Sequence, residues 1–407
     1  MHTGWSPPGV WEGGGRSDWL RPADVRLRLL LVCDSLDIGG AERHVIGLAG
    51  SLQRRGHQVT IACSTSGPLL SEALAAGIAV RTLAERLVKR RVSISYTRAL
   101  VELLASVRFD LVHAHMHASA AAAAAACART RMPLVLTEHS EALWRDERAW
   151  RTARSTYGRA AHVIAVSEKI RRRLVRRDRV RRQRVTAIRN AIPRTARVSV
   201  EPDPLGRRHA PSDPIVGTVA RLVPEKGVRH FLAAAAALLD VFPRARFVVI
   251  GDGPQRDELV AITEQLGISS RVRFLGARVD GPQLIAELDV LAVPSVGSEG
   301  TPLVTLEALS AGVPVVASAV GGIPEQLRGF DRAALVPPGD APALARALLR
   351  MLRTRTPNQS RSREILLLPG HEAMVRATET IYLKAYADAR GQMSAYAAVP
   401  AQRWLAR

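Results

Sequence analysis

The chain has 407 residues, 47% of them hydrophobic and 4% aromatic, with a formal net charge of +21. That length predicts two or three domains, and the hydrophobic fraction excludes a mainly disordered chain. No apolar run reaches the ~18 residues of a transmembrane helix, and the first residues lack the basic and apolar regions of a secretory signal.

Residues 1–25, rich in Gly, Pro and Trp without periodicity, read as a flexible leader. The run 27–33 (LRLLLVC) predicts a strand buried on both faces. Gly39 and Gly40 then turn the chain into a helix over 41–54, with Val45, Leu48, Ala49 and Leu52 at helical spacing. Strands over 58–62, 110–114, 134–137, 162–166 and 184–188 alternate with helices over 118–128 and 168–177. The alanine run in 118–128 suits a helix pressed close to a sheet. A stretch rich in proline and charge, 201–213, predicts a linker. Alternation resumes with strands over 215–219, 246–250, 272–275, 290–293 and 315–317, and helices over 227–239, 255–266, 283–288 and 302–311. A final helix over 370–390 precedes the tail 391–407. The pattern predicts two doubly wound α/β domains, 26–200 and 214–369, facing a cleft, with ligands outside the carboxyl ends of the strands. The helix 370–390 is expected to cross back to the first domain.

Three isolated cysteines, Cys33, Cys63 and Cys127, have no CxxC spacing. They argue against a disulfide framework or zinc and for a reducing compartment, the cytoplasm. The charge comes from 54 Arg against 4 Lys, a ratio that reads as compositional bias. An anionic partner, such as a membrane surface, lipid phosphate or nucleotide, is the other reading. It applies most to the nine arginines between Arg171 and Arg184, which would rest on the inner face of the membrane or form a solvated basic face.

Five segments carry chemistry. In the sharpest, Glu299 and Glu307 flank Gly300, Thr301, Pro302, Leu303 and Val304 at a strand–turn–helix junction. Proline there starts a helix, whose unpaired amides suit an anion while the carboxylates accept from hydroxyls. This fits a ligand with both phosphate and sugar groups. Arg221 and Lys226 place two cations in the loop after a strand, where both can grip phosphate. Gly39 and Gly40 permit close backbone approach, although a tight turn explains them equally. His113, His115 and His117 alternate at a strand end and could share one face as metal ligands. Without a carboxylate partner, polar histidines beside a cleft are the preferred reading. Gly251, Asp252 and Gly253 read first as a strand-to-helix turn.

Taken together and in this order, these segments resemble the retaining glycosyltransferases of family 4, with the GT-B architecture of two Rossmann-like domains. The resemblance covers roughly residues 27–388 and is more specific in the C-terminal half. It implies that Glu307 binds the ribose of a UDP- or GDP-sugar donor and that Glu299 binds the transferred sugar. Arg221 and Lys226 would neutralise the diphosphate, and amides of Gly300, Thr301, Pro302, Leu303 and Val304 (proline lending position only) would surround the distal phosphate. Gly39 and Gly40 would close over it, Gly251, Asp252 and Gly253 would shape the donor site, and Arg278 and Val279 would meet the base. His115 would contact the donor sugar, making His115, Arg221, Lys226 and Glu299 the catalytic group. His139, Ser167 and Asn190 would line the acceptor side. Asn190 departs from the family pattern in being followed by Ala-Ile-Pro, and Ala220 stands where glycine commonly precedes the arginine.

The implied reaction moves a hexose-type sugar to a hydroxyl of a glycan, a lipid-linked acceptor or a small molecule, with retention. No Asp-x-Asp pair is present, so no cofactor and no essential divalent metal are expected. A nucleotide-sugar epimerase would need further acid/base carboxylates, with Glu138 the apparent candidate; a phosphorylase would need a pyridoxal lysine. A basic nucleic-acid-binding protein, suggested by charge alone, would need aromatic platforms or a reading helix, so no nucleic acid is expected as a partner.

Overall fold

The computed structural model describes residues 25–90, 92–192, 205, 213–297, 299–354 and 368–391. Nearly all of the predicted leader, most of the linker and most of the tail lie outside the described residues.

The first domain is a seven-stranded parallel sheet of β1 (Arg28–Ser35), β2 (Gln58–Thr65), β3 (Ala79–Thr82), β4 (Leu111–His115), β5 (Leu134–Glu138), β6 (His162–Ala165) and β7 (Val185–Ala187). Its order is β3-β2-β1-β4-β5-β6-β7. The second is a six-stranded parallel sheet of β8 (Ile215–Val219), β9 (Arg246–Ile250), β10 (Val272–Phe274), β11 (Val290–Val293), β12 (Val315–Ser318) and β13 (Ala333–Val336). Its order is β10-β9-β8-β11-β12-β13. Both orders reverse direction beside their first strand, so each sheet opens a crevice at its carboxyl edge: between β1 and β4, and between β8 and β11.

The strands are continuously apolar because both faces are covered. In β1, Leu30 and Val32 enter one core while Leu29, Leu31 and Cys33 enter the core on the opposite face. In β9, Phe247 and Val249 are likewise divided from Val248 and Ile250. The alanine-rich α4 (His117–Thr130) lies in the first of these cores, where its small side chains let it sit close to the sheet beside α3 (Ile94–Ser106). Cys33, Cys63 and Cys127 are buried free thiols. Among the described residues no helix is long and apolar enough to cross a membrane.

The helices α1 (Gly40–Arg54), α2 (Leu70–Ala75), α5 (Glu147–Arg159) and α6 (Glu168–Arg176) complete the first layer set. The second domain uses α7 (Val228–Leu239), α8 (Arg256–Gln265), α9 (Gly281–Ala286), α10 (Leu303–Ser310), α11 (Ile323–Gln326) and α12 (Ala341–Arg353). The last helix, α13 (His371–Ala389), packs on the first domain. Its Glu379 receives Arg55 at 2.6 Å and lies 2.9 Å from Nε2 of His57, and Tyr382 meets His113 at 2.5 Å.

Candidate active site

One cavity of about 440 Å³ lies between the two carboxyl edges and is lined from both domains. Its C-terminal wall begins where β8 ends. A single turn over Pro224–Lys226 stops at Gly227, whose φ of +63° and whose place against the carbonyl of Pro294 exclude any side chain. A Cβ there would stand 2.1 Å from that oxygen. The loops after β8 and β11 are thereby clasped, and the amides of Val296 and Gly297 donate to the carbonyl of Glu225. The clasp brings Lys226 Nζ to 2.5 Å from Glu299 Oε1, which also accepts from Ser295 Oγ at 2.5 Å. Glu299 is buried, with Oε2 unbonded among the described residues. Arg221 is exposed on the same wall.

The turn before α10 is fixed by its carbonyls. Gly300 accepts from the amide of Gly322, Thr301 from Asn190 Nδ2 at 3.0 Å, and Pro302 from Gln326 Nε2. Pro302 occupies the N-cap rather than the first helical turn, and the cap has no side-chain bond. The amides of Gly300, Thr301, Leu303 and Val304 have no protein partner among the described residues and line the cavity, as an anion site at a helix start requires. Glu307, one turn further, also lines it. Desolvation lifts its carboxyl to about 7, against the pull of Arg43.

The N-terminal wall is organised differently. Glu138 ends β5 and accepts from Arg145 at 2.8 Å and from Tyr157, with Arg173 at 3.3 Å. Desolvation would raise its pKa, but Arg145 and Arg173 outweigh it and hold it at about 2. Arg145 also stacks near Trp144 and Trp150, while Arg90 lies 4.9 Å over Trp144 and pairs with Glu225 across the cleft at 3.5 Å. Asp34 and Glu42 complete this wall, raised by burial to about 6 and about 7.

Arg221, Lys226, Glu299, Glu307, the 300–304 turn, Gly251, Asp252 and Arg278 thus meet Gly39, Gly40, His139 and Asn190 around one cavity. Gly40 faces Leu303 across it, and Gly300 comes so near the His139 carbonyl that a Cβ would stand 2.0 Å away. Arg278 is held by Asp280 at 2.8 Å.

Four expected residues do not line the cavity. His115 is fully buried behind His139, its Nδ1 3.0 Å from that ring's Nε2. Ser167 caps α6 by accepting from the Ile170 amide. Val279 points outward and only its carbonyl is engaged, by Arg43. Gly253 backs onto the carbonyl of Leu222 behind the wall. The shared histidine face also fails. Met116 adopts φ +64°, ending β4 at His115 and sending His117 into α4, where it meets Trp144 edge-on at 5.2 Å. Such a backbone is costly for a residue with a side chain.

Sequence reading missed Asp34, Glu42, Arg43, Trp144, Arg145 and the buried hydroxyl of Thr218, all of which line the cavity. Trp144, a rare aromatic shortly after His139, was the signal available.

Residues 38–195 match the family model described as Glycosyltransferase Family 4, and residues 213–354 the one described as Glycosyl transferases group 1. The 2-deoxystreptamine glucosyltransferase of Streptomyces kanamyceticus is 37% identical over 148 residues, 35% of this chain and 38% of that protein. The phosphatidyl-myo-inositol mannosyltransferase of Mycobacterium leprae is 34% identical over 155 residues, 38% of this chain and 39% of its own length. The matched stretches therefore span well under half of these relatives. Anabaena Alr3699/HepE in complex with UDP-glucose superposes with a TM-score of 0.69 at 23% identity, covering 90% of this chain and 96% of that one. The sucrose-phosphate synthase of Thermosynechococcus elongatus gives 0.71 at 22%, covering 89% and 100%. With both halves matched in order and both sheets doubly wound, the chain belongs to glycosyltransferase family 4 and has the two-domain GT-B fold.

Proposed function

We propose that the protein is a retaining glycosyltransferase that moves a hexose-type sugar from a nucleoside-diphosphate sugar to a hydroxyl of a glycan, lipid-linked or small-molecule acceptor. The observation carrying this reading is the convergence of Arg221, Lys226 and the unbonded amides around Gly300 in one cavity. Breaking the donor's glycosidic bond leaves negative charge on the diphosphate. A guanidinium, an ammonium and fixed amide dipoles stabilise that charge as it develops, each aimed donor contributing about 2.7–4 kcal/mol. Lys226 spends one N–H on Glu299 and keeps two for phosphate. Glu299, steadied by Lys226 and Ser295, offers Oε2 to the transferred sugar, and Glu307 offers its carboxylate to the ribose.

The chain's own cations serve the diphosphate in this reading, so turnover persists in metal-stripped protein. The acceptor enters against His117, His139 and Trp144. Its proton passes to the leaving phosphate on the same face, which gives retention. Glu138, held at about 2 by its arginines, is too weak a base to serve instead. The same locking weighs against an epimerase. The exposed arginines of the 171–184 segment are assigned to an anionic surface beside the acceptor domain.

A thermal-shift panel of UDP-, GDP- and ADP-sugars tests the donor, because a ligand of the folded form raises Tm by mass action. One nucleotide series is expected to raise it; no rise with any would overturn the reading. NMR of the product anomer tests retention. An inverted product, lost in Asp34→Asn, would instead make Asp34 the base.

A further inference from the structure

The nucleoside end of the donor site draws its residues from the second domain: Glu307 on α10, and the loop 277–280 before α9, where Arg278 is fixed by Asp280 at 2.8 Å. One side chain reaches both from the opposite domain. Arg43 lies near the start of α1, and its guanidinium is divided between two partners. One arm pairs with Glu72 of α2 at 3.2 Å, and the other crosses the cleft to donate to the carbonyl of Val279. The adjoining Gly40 faces Leu303 at the head of α10, so the start of α1 meets the second domain at two points.

A surface ion pair would explain the first arm and not the second. The guanidinium fork is planar and rigid, so the arm held by Glu72 sets the direction of the arm that meets Val279. Arg43 also acts on Glu307. Burial raises that carboxyl, Arg43 opposes the rise, and Glu72 adds to it. The elements packed on α10, namely α9, β11 and β12, bring no charged residue. Arg43 therefore supplies the positive field that favours a carboxylate facing the ribose.

We propose that Arg43 is a positioning residue for the donor: anchored by Glu72, it crosses from the first domain to complete the nucleoside site, fixing the 277–280 loop through the Val279 carbonyl and facing Glu307. The inference rests on the nucleoside-diphosphate-sugar reading and deepens it. Nucleotide binding and cleft closure are then linked. A nucleotide that orders the 277–280 loop strengthens a bond between the domains, and the closed cleft holds the nucleotide more tightly.

UDP, GDP and ADP are the probes, titrated calorimetrically into the full-length protein at pH 6, 7 and 8. Arg43→Met loses both arms and the charge. It is expected to weaken the nucleotide that the parent binds by about tenfold or more, as loss of a charged donor does. The donor KM should rise in proportion, with a smaller change in kcat. Affinity should also rise with pH at a higher midpoint than in the parent, because Glu307 has lost its cation. Arg43→Lys keeps the charge without the fork, so it should bind more weakly while holding the parental midpoint. Arg229→Gln, taken from the surface pair with Glu258, should match the parent in both. A parental Kd and midpoint in folded Arg43→Met, whatever its Tm, would overturn this inference and leave the donor reading standing. A parent that binds none of the three nucleotides would overturn both.

Discussion

The two walls of the cleft come from sheets with the same strand logic, yet they hold their charge in opposite ways. On the C-terminal wall, Arg221 is exposed and Lys226 has a single carboxylate partner, with 21% of its side chain accessible. On the N-terminal wall, Glu138, Arg145 and Tyr157 form a buried cluster, with Arg145 only 4% accessible. Charge left near water is available to a ligand, whereas charge consumed internally holds a shape. The first wall is therefore built to bind and the second to stay put.

Breaking the shape-holding wall gives the largest expected effect. Glu138→Ala leaves Arg145 buried without its carboxylate, a situation that costs about 3–5 kcal/mol, while Arg173 keeps Asp178 at 3.5 Å. Glu299→Ala should cost far less stability, because water reaches Lys226. Urea unfolding of the two variants tests the contrast, and equal losses would erase it. Next in size, Lys226→Ala should lower turnover by about 10²–10³, the cost of removing one charge-stabilising donor, with Tm nearly unchanged. A variant that keeps its rate would remove Lys226 from the diphosphate site.

The same difference explains what could be read in advance. The C-terminal wall is written in short contiguous segments: Arg221 to Gly227 is one loop, and Glu299 to Glu307 one turn and helix. Strands β8, β9 and β11 were bounded correctly because fully buried strands are unbroken apolar runs. The N-terminal wall is assembled from Asp34, Glu42, Glu138, Trp144 and Arg145, drawn from separate elements, and no local spacing announces that assembly. The short, exposed edge strand β3 and the arginine-rich α5 were missed for lack of apolar period. His117 was misplaced because the positive φ of Met116, which ends the strand at His115, cannot be seen in a strand-like alternation.

Glu307 sharpens the comparison through pH. Its folded carboxyl titrates near 7, against an ordinary 4.5, because burial disfavours the charge. Between those values the folded form keeps a proton that the unfolded chain has lost, so stability falls as pH rises from about 4.5 to 7. Glu307→Gln lacks that titration and should show a shallower decline, by up to about 3 kcal/mol between pH 4.5 and 8. Donor affinity should move oppositely in the wild type, rising through pH 7 as the carboxylate forms. Denaturation and donor titration at the two pH values check both signs; a variant that follows the wild-type slope would place the pH dependence elsewhere.

The smallest effect concerns the arginine-rich segment, where both kinds of charge occur side by side. Arg171 pairs with Glu168 at 2.6 Å, Arg173 donates to the Glu141 carbonyl, and Arg177 stacks 4.2 Å over Trp150. Arg171 thus pairs within α6, Arg173 ties α6 to the loop after β5, and Arg177 reaches α5, so these three spend their charge inside the protein. Arg172, Arg176, Arg181 and Arg182 are exposed. Arg172 also pairs with Glu168, but 65% of its side chain remains accessible. A basic side chain near an anionic leaflet contributes about 1 kcal/mol, screened by salt. Changing the four to Gln should lower co-sedimentation with phosphatidylserine vesicles by about tenfold or more at low salt, with Tm within a degree of wild type. Arg177→Gln should do the reverse, costing stability while leaving vesicle binding nearly intact. If the fourfold variant binds vesicles as the parent does, the exposed arginines are a solvated face and the membrane assignment falls, with the donor site untouched.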